Sequence, residues 1–187
     1  SMFLMLTLYM QQVLGYSPIE TGVAYLAVAG TAVIWANVAA VAVNRVGVKP
    51  ALIFGMSLLT IGLLYFTQVS VGGSYWADLF PGFLVLGLAI PFAFVPITIA
   101  ALAGTKPQEA GLASGLINTS QQIGGAVGIA ILSTIAVTTT DGDLTNPQAL
   151  TDGFVNDFWA GAAIAFVGVL VSVFLVRGRD LAQAPAA

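Results

Sequence analysis

Apolar residues fill six long stretches of the chain, and short polar breaks separate them. The stretches fall at 2–14, 18–43, 50–69, 75–103, 106–136 and 153–176, followed by a polar tail at 177–187. A helix needs roughly 20 apolar residues to cross a hydrocarbon layer about 30 Å thick. The last five stretches reach that length. The first would extend only about 20 Å at 1.5 Å per residue, and it is read as the second half of a truncated membrane helix. Start signals mark the breaks. Ser17 and Glu20 form an S-x-x-E capping box, with Pro18 at the first helical position. Pro50 opens the third stretch, and Gly72-Gly73-Ser74 makes a turn before the fourth. Thr105 and Gln108 read as a second box, T-x-x-Q, at the head of the fifth. The longest loop is expected at 138–151.

Composition turns these stretches into a class. Of 187 residues 58% are hydrophobic and 7% charged, against about 25% charged in soluble domains. So few charges cannot cover a soluble surface. The chain is therefore read as an all-α polytopic membrane bundle of six transmembrane segments, the first truncated, forming one domain over 1–187. There is no cysteine and no histidine, which removes thiol chemistry and the usual neutral-pH proton carrier and metal ligand. No cofactor or metal is expected. No basic cluster offers a footprint for nucleic acid.

The charges predict orientation. Arg45, Lys49, Lys106, Arg177 and Arg179 all fall on one side of the alternating spans. Glu20, Asp78, Asp141, Asp143, Asp152 and Asp157 fall on the other, which carries no Lys or Arg. Basic residues mark the cytoplasmic side, so the C-terminus is expected inside. The same count expects no ionisable residue within the middle of any span.

The candidate chemistry is then neutral and polar. The fifth stretch carries Asn118, Thr119, Ser120, Gln121 and Gln122, about 15–21 Å along the helix axis from Gln108. Asn118 and Gln122 share a face at i, i+4. They suit hydrogen bonds between helices, or the lining of a cavity or gate. Gly111 with Gly115, and Gly124 with Gly128, are two G-x-x-x-G pairs, expected to clamp this helix against a neighbour. In the fourth stretch Pro91 and Pro96 predict a bend or local unwinding, with Phe92 and Phe94 beside them; broken helices of this kind line substrate pathways. Tyr9, and Asn37 in the otherwise apolar second stretch, are further cavity candidates. Tyr75, Trp76 and Trp159 read as interfacial anchors. No nucleophile and base can be paired, so an enzyme is not expected.

Two stretches resemble a known family. LYMQQVLGYSPIETG at 8–22 and EAGLASGLINTSQQIGGAVGIAI at 109–131 resemble the C-terminal half of major facilitator superfamily transporters, closest to the fourteen-span drug:proton antiporter branch. The loop Asn44-Arg45-Val46-Gly47-Val48-Lys49 resembles that superfamily's D-R-x-G-R-K loop, departing at Asn44 and Val48. The departures leave Arg45 and Gly47 a turn and a helix-end contact, rather than a charge relay. The resemblance implies a C-terminal six-helix bundle in the cell membrane. Its partners would be the lipid bilayer, the N-terminal half and a small hydrophobic substrate. The first and fourth helices would line the cavity, the second and fifth would face the other bundle, and the third and sixth would face lipid. The implied activity is proton-coupled export of hydrophobic or cationic drugs by alternating access. The alternative is a complete small membrane protein that homodimerises into a carrier or channel.

Overall fold

A computed structural model describes residues 2–102, 105–139 and 146–176. Among them are helices and turns and no strand. Helix α1, Met2–Leu8, continues as a π-helical turn over Tyr9–Val13. Then come α2 (Pro18–Ala24), α3 (Leu26–Val46), α4 (Val48–Phe66), α5 (Phe80–Leu102), α6 (Ala110–Thr139) and α7 (Pro147–Phe174). The α2–α3 pair forms one run, Pro18–Val46, and with α4, α5, α6 and α7 it makes five helices long and apolar enough to cross a membrane. Met2–Val13 is a shorter apolar helix.

The capping box expected at Ser17 is present. Its side chain accepts from the Glu20 amide at 3.3 Å, and the Ser17 amide donates to Glu20 Oε2 at 2.8 Å. Both bonds occupy groups that a bare helix end leaves unsatisfied. The loop expected at 44–49 shrinks to one residue. Gly47, at φ +91°, ends α3 by donating to the Val43 carbonyl, and α4 begins at Val48. A left-handed glycine reverses the chain in a single step where a side chain would strain it. Pro50 is tolerated because first-turn amides have no acceptor within the helix.

Three further boundaries differ from expectation. The T-x-x-Q box does not form: Thr105 Oγ1 donates back to the Leu102 carbonyl, closing α5, and Lys106 stands before the Pro107–Glu109 turn without a side-chain cap bond. The loop at 138–151 is shorter, since α6 runs to Thr139 and α7 starts at Pro147. Asn146 Oδ1 accepts from the Gln148 amide at 2.9 Å, and Pro147 sits at the first helical position. That Asn-Pro pair is an ordinary helix start. Asp141, Asp143 and the tail with Arg177 and Arg179 lie outside the described residues. Finally, α5 is continuous through Pro91 and Pro96, with no unwound turn. Both prolines are buried, and packed neighbours let a membrane helix absorb the lost amide bonds.

Helix α5 is the centre of the bundle, packing mainly on α4 and α3, while α4 also lies along α7. Small residues set the spacing. A Cβ on Gly87 would come within 2.6 Å of Thr31 Cβ and 2.7 Å of the Val28 carbonyl, so α3 and α5 meet nearly backbone to backbone. A Cβ on Gly55 would meet the Phe92–Ala93 backbone, which does the same for α4 and α5. Above these contacts Phe66, Phe83 and Phe158 are fully buried, with ring centroids 5.6–5.7 Å apart along the chain of contacts. They tie α4, α5 and α7 together.

Candidate functional site

Helix α6 stands apart from this core. Over 110–131 its residues are exposed on every side, apart from half-buried Ala113, Ile117 and Gly128. It settles against the bundle only further along, where Leu132 and Ala136 are buried. Its neighbour is mainly α7, with a slighter contact to α5. Asn118, Gln121 and Gln122 are all exposed, and Thr119 Oγ1 turns back to the Gly115 carbonyl at 2.9 Å.

The G-x-x-x-G pairs behave accordingly. A Cβ added at Gly111, Gly115, Gly124 or Gly128 would meet nothing within 4 Å. No neighbour of this chain is clamped there among the described residues. Gly111, Gly115 and Gly124 lie along a helix side that the described residues leave open, and Gly128 borders a space shared with α4. Among the described glycines that do pack closely on neighbouring helices are Gly55, Gly62, Gly82, Gly87 and Gly168, which have no such spacing.

The α5 candidates divide. Pro91, Phe92 and Pro96 are buried in the bundle, whereas Phe94 is 54% exposed. With Val95, Thr98 and Ile99 it borders a shallow groove on the open side of α5. Asn37 is exposed on α3. Tyr9 lines neither of the two cavities beside α7. It is fully buried, edge-on to Phe154 at 6.3 Å, and its hydroxyl donates to the Ser70 carbonyl at 2.6 Å. A buried phenol needs such a partner, and here it pins the first helix to the segment after α4.

The loop motif is also placed by its contacts. Asn44 and Arg45 are exposed in the last turn of α3, where a cation suits the helix dipole. Lys49 reaches across the bundle, and its Nζ donates to the Val173 carbonyl at 2.7 Å in the last turn of α7. Gly47 allows this by bringing α4 straight back from α3.

One residue overturns an expectation. The apolar pattern starts the sixth stretch at 153 and so places Asp157 at the acidic outer edge. With α7 beginning at Pro147, it lies ten residues in, about 15 Å along the axis. It is 1% exposed. An acid is therefore held inside the helical bundle, contrary to the expectation of apolar and neutral interiors. The sequence signal was Asn146-Pro147, which moves the helix start upstream. Two cavities flank α7. One of about 260 Å³ lies between the first helix, α6 and α7, and includes Gln12, Ser133 and Phe154. The other, about 280 Å³, is lined by Asp157 with α4 and α6 residues.

The profile of the Major Facilitator Superfamily matches residues 1–129. The chain is 34% identical over 177 residues to the puromycin resistance protein pur8 of Streptomyces alboniger, covering 91% of this chain and 35% of that protein. It is 28% identical over 181 residues to the tetracenomycin C resistance and export protein of Streptomyces glaucescens, covering 97% and 31%. It is 28% identical over 134 residues to the multidrug resistance protein Stp of Mycobacterium tuberculosis, covering 72% and 25%. The chain thus spans between a quarter and about a third of the length of these relatives.

Proposed function

Since the chain belongs to the major facilitator superfamily, we propose that it is the C-terminal six-helix bundle of a proton-coupled drug exporter. It is a transporter part and not an enzyme. Its substrates are hydrophobic or cationic compounds, moved by alternating access between this bundle and an N-terminal one. Relatives named for antibiotic resistance and export support the reading as a drug exporter. The observation that carries the reading is α6. A 30-residue apolar helix with glycines and amides along it, exposed nearly all round over its first two-thirds, suits a second bundle as its cover. Small residues permit close helix approach, and amides supply directional contacts across it. On this reading Asn118, Gln121 and Gln122 meet the opposing bundle and the substrate path. Phe94 and Asn37 face the same interior. The positive ends at Arg45 and Lys106 lie in the cytoplasm, as does the C-terminus.

The test is drug export from cells lacking their own pumps, with the intact protein expressed. Increased resistance that collapses when an uncoupler removes the proton gradient is the expected result. Unchanged sensitivity to a panel of neutral and cationic antibiotics, at normal membrane levels of the protein, would end the proposal.

A further inference from the structure

An open groove of about 570 Å³ lies where the start of α2 meets a π-helical turn, Tyr75–Leu79, that leads into α5. Sites for small molecules commonly measure about 300–1,000 Å³. Its lining includes Tyr16, Ile19, Glu20, Val23, Tyr75 and Trp76. Local bonds hold these side chains in place. Glu20 Oε2 accepts from both the amide and the hydroxyl of Ser17, each at 2.8 Å, while the side chain stays exposed. The Tyr75 hydroxyl donates to the Ala24 carbonyl at 3.0 Å and ties the π-helical turn to α2. The rings of Tyr75 and Trp76 stand edge-on, 5.3 Å apart at 78°, and Trp76 is 72% exposed. Three aromatic rings and a positioned carboxylate therefore share one groove.

We infer that this groove is a binding site for a lipophilic organic cation, held between the rings of Tyr16, Tyr75 and Trp76 and the carboxylate of Glu20. Aromatic faces carry negative potential and attract a cation within about 6 Å of the ring centre. Ile19 and Val23 offer apolar contact to the rest of such a molecule. The charges at this end agree in sign. Asp78 adds a second acid, turned into its own segment by a bond from the Ser74 amide. The basic residues among those described, Arg45, Lys49 and Lys106, all lie at the opposite helix ends. A zwitterionic lipid headgroup suits the groove less well, because its phosphate would meet no Lys or Arg there. Interfacial anchoring explains Trp76 alone, and it requires no carboxylate beside the rings.

The groove is also continuous with one side of the helix below it. Ile19, Val23, Leu26, Gly30, Val33 and Asn37 follow one another three or four residues apart along the run Pro18–Val46, and all are exposed. That spacing puts them in a single row. The row links the groove to Asn37, which the exporter reading turns toward the interior between the bundles. A cation leaving that interior on the side away from the cytoplasm would meet the groove last. This role in release rests on the proposed exporter function. The binding site itself does not.

A photoreactive aryl azide of tetraphenylphosphonium tests the site in the intact wild-type protein, held in nanodiscs of phosphatidylglycerol, with labelled positions located by mass spectrometry. Labelling is expected at residues 16–24 and 75–80. Excess tetraphenylphosphonium should displace it, and the neutral triphenylphosphine oxide should not. Glu20→Gln keeps a residue that can close the capping box and removes only the charge. It is expected to weaken binding at these positions about 2–5-fold, as is Trp76→Leu, while Trp76→Phe should retain most of the affinity. Saturating label elsewhere in the protein with none at either segment overturns the inference. So does equal displacement by the neutral compound, or unchanged affinity in the Glu20→Gln, Trp76→Leu double variant. Loss of labelling when phosphatidylethanolamine replaces phosphatidylglycerol would assign the groove to a lipid headgroup and likewise overturn it. Labelling as expected in a protein that confers no drug resistance supports the site and removes only its role in release.

Discussion

Gly55 of α4 lies against the backbone of α5 at Phe92, whose carbonyl is the one that Pro96, lacking an N–H, cannot serve. The closest approach between two helices thus falls where a proline has left an acceptor exposed. A side chain on Gly55 would hold the helices apart and open that acceptor to lipid. Gly55→Leu is therefore expected to abolish folded protein, since the clash is with backbone and exceeds the ~1–3 kcal/mol usual for an overpacked core. Fluorescence-detected size exclusion of the solubilised protein reads this as loss of the monodisperse peak. A normal peak would mean that α4 and α5 do not pack as described.

Gly115→Leu should behave in the opposite way. Nothing of this chain lies within 4 Å of a Cβ there, so the bundle should fold at normal yield. Export should nevertheless fail, because a leucine would wedge the opposing bundle away. Normal folding together with wild-type resistance would show that this side of α6 is not an interface.

Asn118→Ala and Gln122→Ala, made in the intact protein, are expected to shift the range of drugs exported without lowering expression. Both amides are exposed within the bundle, so neither is needed to hold it. Resistance profiles identical to wild type for both variants would remove the polar cluster from the substrate path.

Lys49→Met removes the bond to the Val173 carbonyl at the end of α7. The expected loss is about 1 kcal/mol, a fall of about 2–4 °C in the unfolding midpoint. Scanning fluorimetry in detergent measures it. Lys49→Arg should recover most of the loss, since a cation still reaches the helix end.

Orientation can be read with thiols, because the chain has no cysteine of its own. Cysteines replacing Arg45 and Lys106 should be shielded from an impermeant maleimide added to whole cells. Cysteines replacing Ile19 and Gln148 should react. The reverse pattern would invert the topology predicted from the basic residues.

The sequence alone determined what depends on local composition and local signals. The near absence of charge set the membrane class, and the lengths of the apolar runs set the helix number. Ser17, Pro18 and Glu20 marked a helix start that is capped as expected. It could not determine which side of each helix meets which partner. In segments apolar all round there is little polar contrast to separate a core face from a lipid face, so the hydrophobic period carries almost no directional information. For that reason the G-x-x-x-G spacing pointed at α6, while Gly55 and Gly87 make the close contacts. Tyr9, a cavity candidate from the sequence, is buried and tied to the Ser70 carbonyl. Asp157 reads from the sequence as an edge acid, and the start of α7 at Pro147 with the packing of α4, α6 and α7 encloses it. Only the three-dimensional arrangement decided these, because burial is a property of neighbours distant in the chain.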